Sequence, residues 1–229
     1  MRVSINQPAY LPWLGYFDRI ASSDIAIVLD SVMIEKGSYT NRNKMRSGNG
    51  WSWLTVPIKT SGQPLISDVQ IDNQRDWRKK HFQLISQAYA KARYHADHIE
   101  WVNNVYRREW IGLNELLTYT NRYFLSALSI NTKIIHSSAL NVAGAKSELV
   151  LNLCKEVGAT EYISGPFGSN YLDLPSFERA GILVTFQNYT HPVYEQCQGG
   201  FESHMSVLDL LLNCGPDSGQ IFQDHKKGL

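Results

Sequence analysis

The chain lacks an excess of charge of either sign. Lys and Arg total 22 and Asp and Glu total 21 over 229 residues, a formal net charge of +1. That balance argues against a nucleic-acid binder built on bulk positive charge and against an acidic disordered tail. Cysteine is scarce: Cys154, Cys197 and Cys214 are odd in number, widely spaced, and form no C-x-x-C pair. A disulfide framework or a structural zinc site is therefore not expected, and reduced thiols in a cytoplasmic protein are the simpler reading. Apolar runs are short. The start, MRVSINQPAYLPW, has no continuous apolar segment of the signal-peptide kind, and no stretch of about 18 apolar residues offers a membrane span.

Familiar signatures of chemistry are missing too. There is no G-x-x-x-x-G-K-[ST], no G-x-G-x-x-G after the first strand, no G-x-S-x-G and no H-E-x-x-H. Phosphate cradling by a P-loop, a dinucleotide fingerprint, a hydrolase elbow and metal catalysis have no sequence support, so no metal ligand or cofactor is assigned. What the chain has in quantity is aromatic: 12 Tyr, 8 Phe and 6 Trp. Such rings serve as core, and Tyr and Trp also as amphipathic ligand surfaces.

Hydrophobic patterning gives an α/β chain. Residues 2–6 alternate as a strand, Pro8 and Pro12 punctuate a loop, and residues 13–21 carry helical spacing. The apolar run 25–29 ending at Asp30 reads as a strand buried on both faces, a parallel-sheet signature. A short strand is expected at 32–34, a long polar loop at 36–50, and β-prone text at 51–58 that pairs with 64–71. Helices follow at 77–92, 99–106 and 113–130. Strands at 133–136, 161–165 and 182–186 then alternate with helices at 146–157, 175–180 and 205–212. The expected architecture is one α/β domain over residues 1–229. It has a mostly parallel sheet flanked by helices, a helical insertion near 73–130 and a frayed tail after 215.

Ligands of such sheets sit outside the carboxyl ends of strands. Three loops follow strand ends there: 7–13, 30–46 and 164–171. The first offers Gln7, Tyr10 and Trp13 as an amide and two rings, with Gly15 permitting close approach; a hydrophobic plug sealing the sheet end is the plainer alternative. Asp30 ends a strand, where a carboxylate is either a ligand group or a turn cap. Lys36, Arg42, Lys44 and Arg46 are placed to neutralise a diphosphate or are solvated loop charges. Lys80 lies in a basic run at a helix start, for which a solvated face is the commoner explanation. The small-residue loop 164–170 is a weak anion-nest signal. His191, after the last strand, is the best general-base candidate by type and place.

The opening INQPAYLPWLGYFDRI resembles the HQPxYLPWxGYFxKI-type start of the WbqC-like family. The resemblance continues through DIAIVLDSVMIEKGSYTNRN, WLTVPI, WRKKH, YISGPFGSNYL, FQNYTHPVY and MSVLDLLLNCG, so it covers nearly the whole chain in order. Asn6 stands where the family pattern has His, and Ser31 where it often has a second Asp. If that His were an acid–base group, Asn6 would not replace it. Family members occur in bacterial gene clusters for O-antigen and other surface polysaccharides. The resemblance therefore implies a cytoplasmic enzyme acting on nucleotide-activated sugars, often amino sugars. It raises Gln7, Tyr10, Trp13, Tyr16, Lys36, Asn41, Arg42, Lys80, Gly165, Tyr171 and Tyr194 as pocket residues, with His191 and Asp30 as the proton-transfer pair. The expected reaction is acyl or aminoacyl transfer to a nucleotide-linked amino sugar, with that sugar and an unidentified acyl donor as partners. A homo-oligomer stays open. Two alternatives also stay open: a nucleotidyltransferase-like enzyme, although H-x-G-H is absent, and a non-catalytic subunit of a polysaccharide assembly complex.

Overall fold

The computed structural model describes residues 1–48, 50–59 and 61–224. Its centre is strand β1 (Arg2–Asn6), in which every residue after Arg2 is buried. Val3 and Ile5 point to one face, Ser4 and Asn6 to the other, because strand side chains alternate. β2 (Ile25–Val28) pairs with β1 in parallel, and β5 (Lys133–His136) pairs with β2. On the other side of β1 come β6 (Glu161–Ser164) and β7 (Leu183–Phe186), again parallel. The sheet order is β5-β2-β1-β6-β7. The chain thus walks outward from β1 in one direction, then returns past it to finish on the other side. The reversal falls between β1 and β6, and a crevice opens at the carboxyl edge where such a reversal occurs.

Helix α1 (Leu14–Ala21) connects β1 to β2. Helices α2 (Trp77–Ala88), α3 (His95–Arg107) and α4 (Leu113–Ala127) form the helical insertion between β2 and β5. These elements share one core with the helix α7 (Val207–Cys214), around Phe17, Val102, Leu116, Phe124 and Leu211. The opposite face of the sheet is covered by α5 (Lys146–Glu156) and α6 (Leu174–Arg179). There Val3, Ile5 and Ile27 meet Leu149, Leu153 and Phe177. The mostly parallel, helix-flanked sheet expected from periodicity is therefore present.

Several boundaries differ from expectation. The polar segment 36–50 contains strand β3 (Arg42–Ser47), paired antiparallel with β4 (Gly50–Thr55). Its alternation is hidden because Asn43 joins Met45 on the inward face and Arg46, on the other face, is buried as well, all three nearly inaccessible. On the outer side Arg42 lies over the Trp53 ring at 4.4 Å and Lys44 over Trp51 at 4.2 Å. Cation–π pairs thus replace the apolar alternation a strand normally shows. Residues 32–34 and 64–71 form isolated antiparallel bridges, Met33–Leu65 and Ile58–Ile71, rather than strands. The tail does not fray over 215–224. It folds as a 3₁₀ turn and helix α8 (Ser218–Asp224), with Phe222 1% exposed. Burying one such ring stabilises by about 1.5–3 kcal/mol, enough to pin a short helix. Residues 225–229 lie outside the described part. No helix among the described residues is long and apolar enough to cross a membrane.

Candidate functional site

Two hollows open at the carboxyl edge of the sheet, one on each face. The alternation of strand side chains decides which residue lines which. Gln7 and Leu29 face the α5 side and line a crevice of about 950 Å³. Pro8, Val28 and His136 face the α4 side and line a second pocket of about 400 Å³.

The crevice lies beside the reversal of strand order. Its walls are the segment 32–37, Ile58, Gln63, the start of α5 and Tyr171. Of the residues expected from the sequence, it brings together Gln7, Lys36, Asn41 and Tyr171. Asn41 is held rather than free, since its Nδ2 donates to the Val56 carbonyl at 2.8 Å. Arg42 is adjacent: its Nη2 donates to the carbonyl of Gly37, a crevice residue. Lys146 joins the crevice from the first turn of α5 and was not expected there. Neither Lys36 nor Lys146 has a carboxylate within ion-pair distance among the described residues. Two crevice residues, Gln63 (φ 48°) and Lys146 (φ 51°), hold left-handed backbone without being glycine. Such strain costs on the order of 1–3 kcal/mol per residue and collects at functional sites.

Behind His136, which lines the second pocket, lies Asp30. That side chain is inaccessible, and its carboxylate accepts five hydrogen bonds. Ser137 Oγ (3.1 Å) and Ser138 N (2.9 Å) donate to Oδ1. His136 Nδ1 (2.8 Å), Ser138 Oγ (2.9 Å) and Asn114 Nδ2 (2.9 Å) donate to Oδ2. Burial by itself would raise the Asp30 pKa, but the bonds from His136 and Ser138 outweigh it and hold the carboxyl well below the usual range. An ionised carboxylate only accepts, so His136 must carry its proton on Nδ1. Nε2 of neutral His136 is then an acceptor, and the ring lines the pocket. A histidine fixed by a carboxylate is the arrangement of a general base held in one tautomer.

The histidine bonded to Asp30 is thus His136, where the sequence suggested His191. Parallel register puts His136 beside Val28, two residues before Asp30. His191 instead lies in the loop after β7. Its Nδ1 is 3.0 Å from Tyr189 Oη, and its ring stacks on His204 at 5.0 Å. It lines neither hollow. The signal for His136 was the ending of a strand, KIIH, at the same sheet edge as Asp30.

The other expected residues disperse. Tyr10 is fully buried, its hydroxyl bonded to His81 Nδ1 (2.9 Å) and Tyr106 Oη (2.5 Å), so it stacks no ligand. Burial pushes the His81 pKa down to about 4, which keeps this core network neutral. Tyr194 is buried and donates to Asp209 at 2.8 Å. Burial raises the Asp209 pKa, against the bonds from Tyr194, Tyr89 and Gln196. Trp13 precedes α1 and packs on Tyr16 and Tyr39. Tyr16 is buried along the second pocket. Lys80 is exposed beside a separate hollow with Trp53 and His81. Gly165 sits under the Arg19 guanidinium, and a Cβ there would collide with it. Of the cysteines, Cys154 is buried in α5, where desolvation pushes its thiol up to about 12 and leaves it inert.

A model of the WbqC-like protein family matches residues 7–221. The chain belongs to the WbqC-like family. A Mycobacterium tuberculosis protein, the uncharacterized Rv1507c, is 36% identical to this WbqC-like chain over 224 residues, covering 95% of both. No solved structure matches it.

Proposed function

We propose that this WbqC-like protein is a transferase of bacterial surface-polysaccharide biosynthesis that acylates or aminoacylates a nucleotide-activated amino sugar. The observation that carries the reading is the crevice at the strand reversal. It presents two cations without carboxylate partners, Lys36 and Lys146, beside the Gln7 and Asn41 amides and the half-exposed Tyr171 ring. Two phosphates need such cations, a helix start such as that of α5 favours anions, and a ring face suits a base or sugar.

The transfer joins the sugar amine to the carbonyl carbon of an activated ester or thioester. A C–N bond forms, the bond from that carbon to the donor's oxygen or sulfur breaks, and the amine's proton must leave. In this reading His136 takes the proton on Nε2, with Asp30 stabilising the imidazolium, and passes it to the departing atom. Holding two substrates side by side supplies much of the remaining acceleration. The missing phosphate-loop and dinucleotide motifs are no obstacle to such a step.

The test is incubation with a panel of nucleotide-linked amino sugars and acyl or aminoacyl thioesters, read by mass spectrometry of the sugar nucleotide. An N-acylated product that His136→Asn abolishes, with nucleotide binding retained, is the expected result. Release of pyrophosphate from a nucleoside triphosphate in place of that product would overturn it in favour of nucleotidyl transfer.

A further inference from the structure

The second pocket has more to it than a place for a base. Its wall is apolar, from Ile20, Leu117, Leu125, Ile130 and Ile134, and at about 400 Å³ it has room for a short aliphatic group. Two acceptors on its lining are unused. One is His136 Nε2, since Asp30 fixes the ring proton on the other nitrogen. The other is Asn121 Oδ1, which is buried with no hydrogen-bond partner. Its orientation is not arbitrary: Nδ2 of the same amide donates to the Ala9 carbonyl at 3.3 Å, so the oxygen must be the atom turned away. A buried acceptor without a donor costs free energy that a ligand's N–H or O–H recovers. At the rim, exposed Arg122 supplies positive charge with no ion-pair partner among the described residues.

We infer that this pocket binds a short aliphatic acyl group carrying an amine or hydroxyl substituent. The chain lies on the leucine and isoleucine wall, the substituent donates to Asn121 Oδ1, and the carbonyl oxygen sits towards the Arg122 guanidinium. Calling that group the donor's acyl part rests on the transferase reading above; occupancy of the pocket does not. The pocket has its own face of the sheet, so the two ideas fail separately.

The probes are free leucine, 3-hydroxybutyrate and butyrate, followed by methyl and imidazole NMR of the full chain and by diethyl pyrocarbonate labelling of His136. Leucine or 3-hydroxybutyrate should give saturable shifts at the Ile130, Ile134 and Leu125 methyls and should slow labelling of His136. Butyrate, which has no donor on its chain, should bind at least about tenfold more weakly, as expected where a buried polar group is left unpaired. Leu125→Trp, or Ile130→Phe should the first fail to fold, should abolish the shifts. Asn121→Leu should erase the preference over butyrate. Lys36→Ala with Lys146→Ala should leave all of this unchanged while weakening nucleotide-sugar binding. Absence of saturable shifts from every probe, or shifts that survive the filled pocket, would overturn the inference. Equal binding of butyrate and 3-hydroxybutyrate would overturn the role of Asn121. Absence of nucleotide-sugar binding by the wild type, with the pocket's shifts intact, would strike the crevice and leave the pocket standing.

Discussion

The two hollows at the sheet edge share neighbouring residues of the same strands yet are built in opposite ways. The crevice is made mainly from connecting segments. Its cations are exposed and it keeps two non-glycine residues in left-handed backbone. The second pocket is made from strand ends and from α1 and α4, and the carboxylate that holds its His136 is saturated with donors. One therefore bears strain and unpaired charge, and the other stands on a carboxylate saturated with donors. Loop-built sites draw on the less stable parts of a fold and adapt; networks of buried bonds hold one geometry.

Substitutions should separate the two regions by their effect on stability. The largest loss is expected from Asp30→Ala, which leaves the donors of Ser137, Ser138, Asn114 and His136 without their acceptor. Removing one side of a buried charged network costs on the order of 3–5 kcal/mol, read as a fall in the urea midpoint. The loss should depend on pH with a definite sign. The folded-state pKa of Asp30 is depressed, so its contribution is fully present above the ordinary carboxylate range. It fades as pH falls through the folded value, and the gap between wild type and variant should narrow on acidification. A gap that widens in acid would show that Asp30 is not held ionised.

Lys146→Gly comes next and has the opposite sign. Relief of left-handed strain should raise stability by up to about 1 kcal/mol, with nucleotide-sugar binding weakened. Both effects can be followed by thermal denaturation and calorimetry. A loss of stability there would break the picture of a strained crevice. The smallest effect is expected from Lys36→Ala, a solvated side chain whose removal should shift stability by less than about 0.5 kcal/mol. Its consequence should appear only in ligand affinity.

How far the sequence reveals these regions follows the same division. The parallel strands were legible because runs such as residues 25–29 are apolar on both faces, and the insertion because α4 keeps a helical stripe. The crevice was partly legible, since Gln7, Lys36, Asn41 and Tyr171 fall in loops after or near strand ends. The Asp30 network was not, because it joins residues 84 to 108 positions apart through strand register. Nothing local in KIIHSS announces that Asp30 is its partner. Tyr10 misled for a related reason: a loop position looks exposed in sequence, but the insertion closes over it and supplies His81 and Tyr106. Strand β3 escaped notice because Arg42 and Lys44 cover tryptophans.

The central claim is that the crevice, through Lys36 and Lys146, holds a nucleotide-activated amino sugar. The most direct measurement is calorimetric titration of the full chain with UDP- and dTDP-linked amino sugars, beside the Lys36→Ala, Lys146→Ala double variant. Saturable binding that weakens about tenfold or more in the double variant, with the fold unchanged by circular dichroism, is the result expected for lost charge-assisted phosphate contacts. No binding by the wild type, or equal affinity in the two proteins, would contradict it.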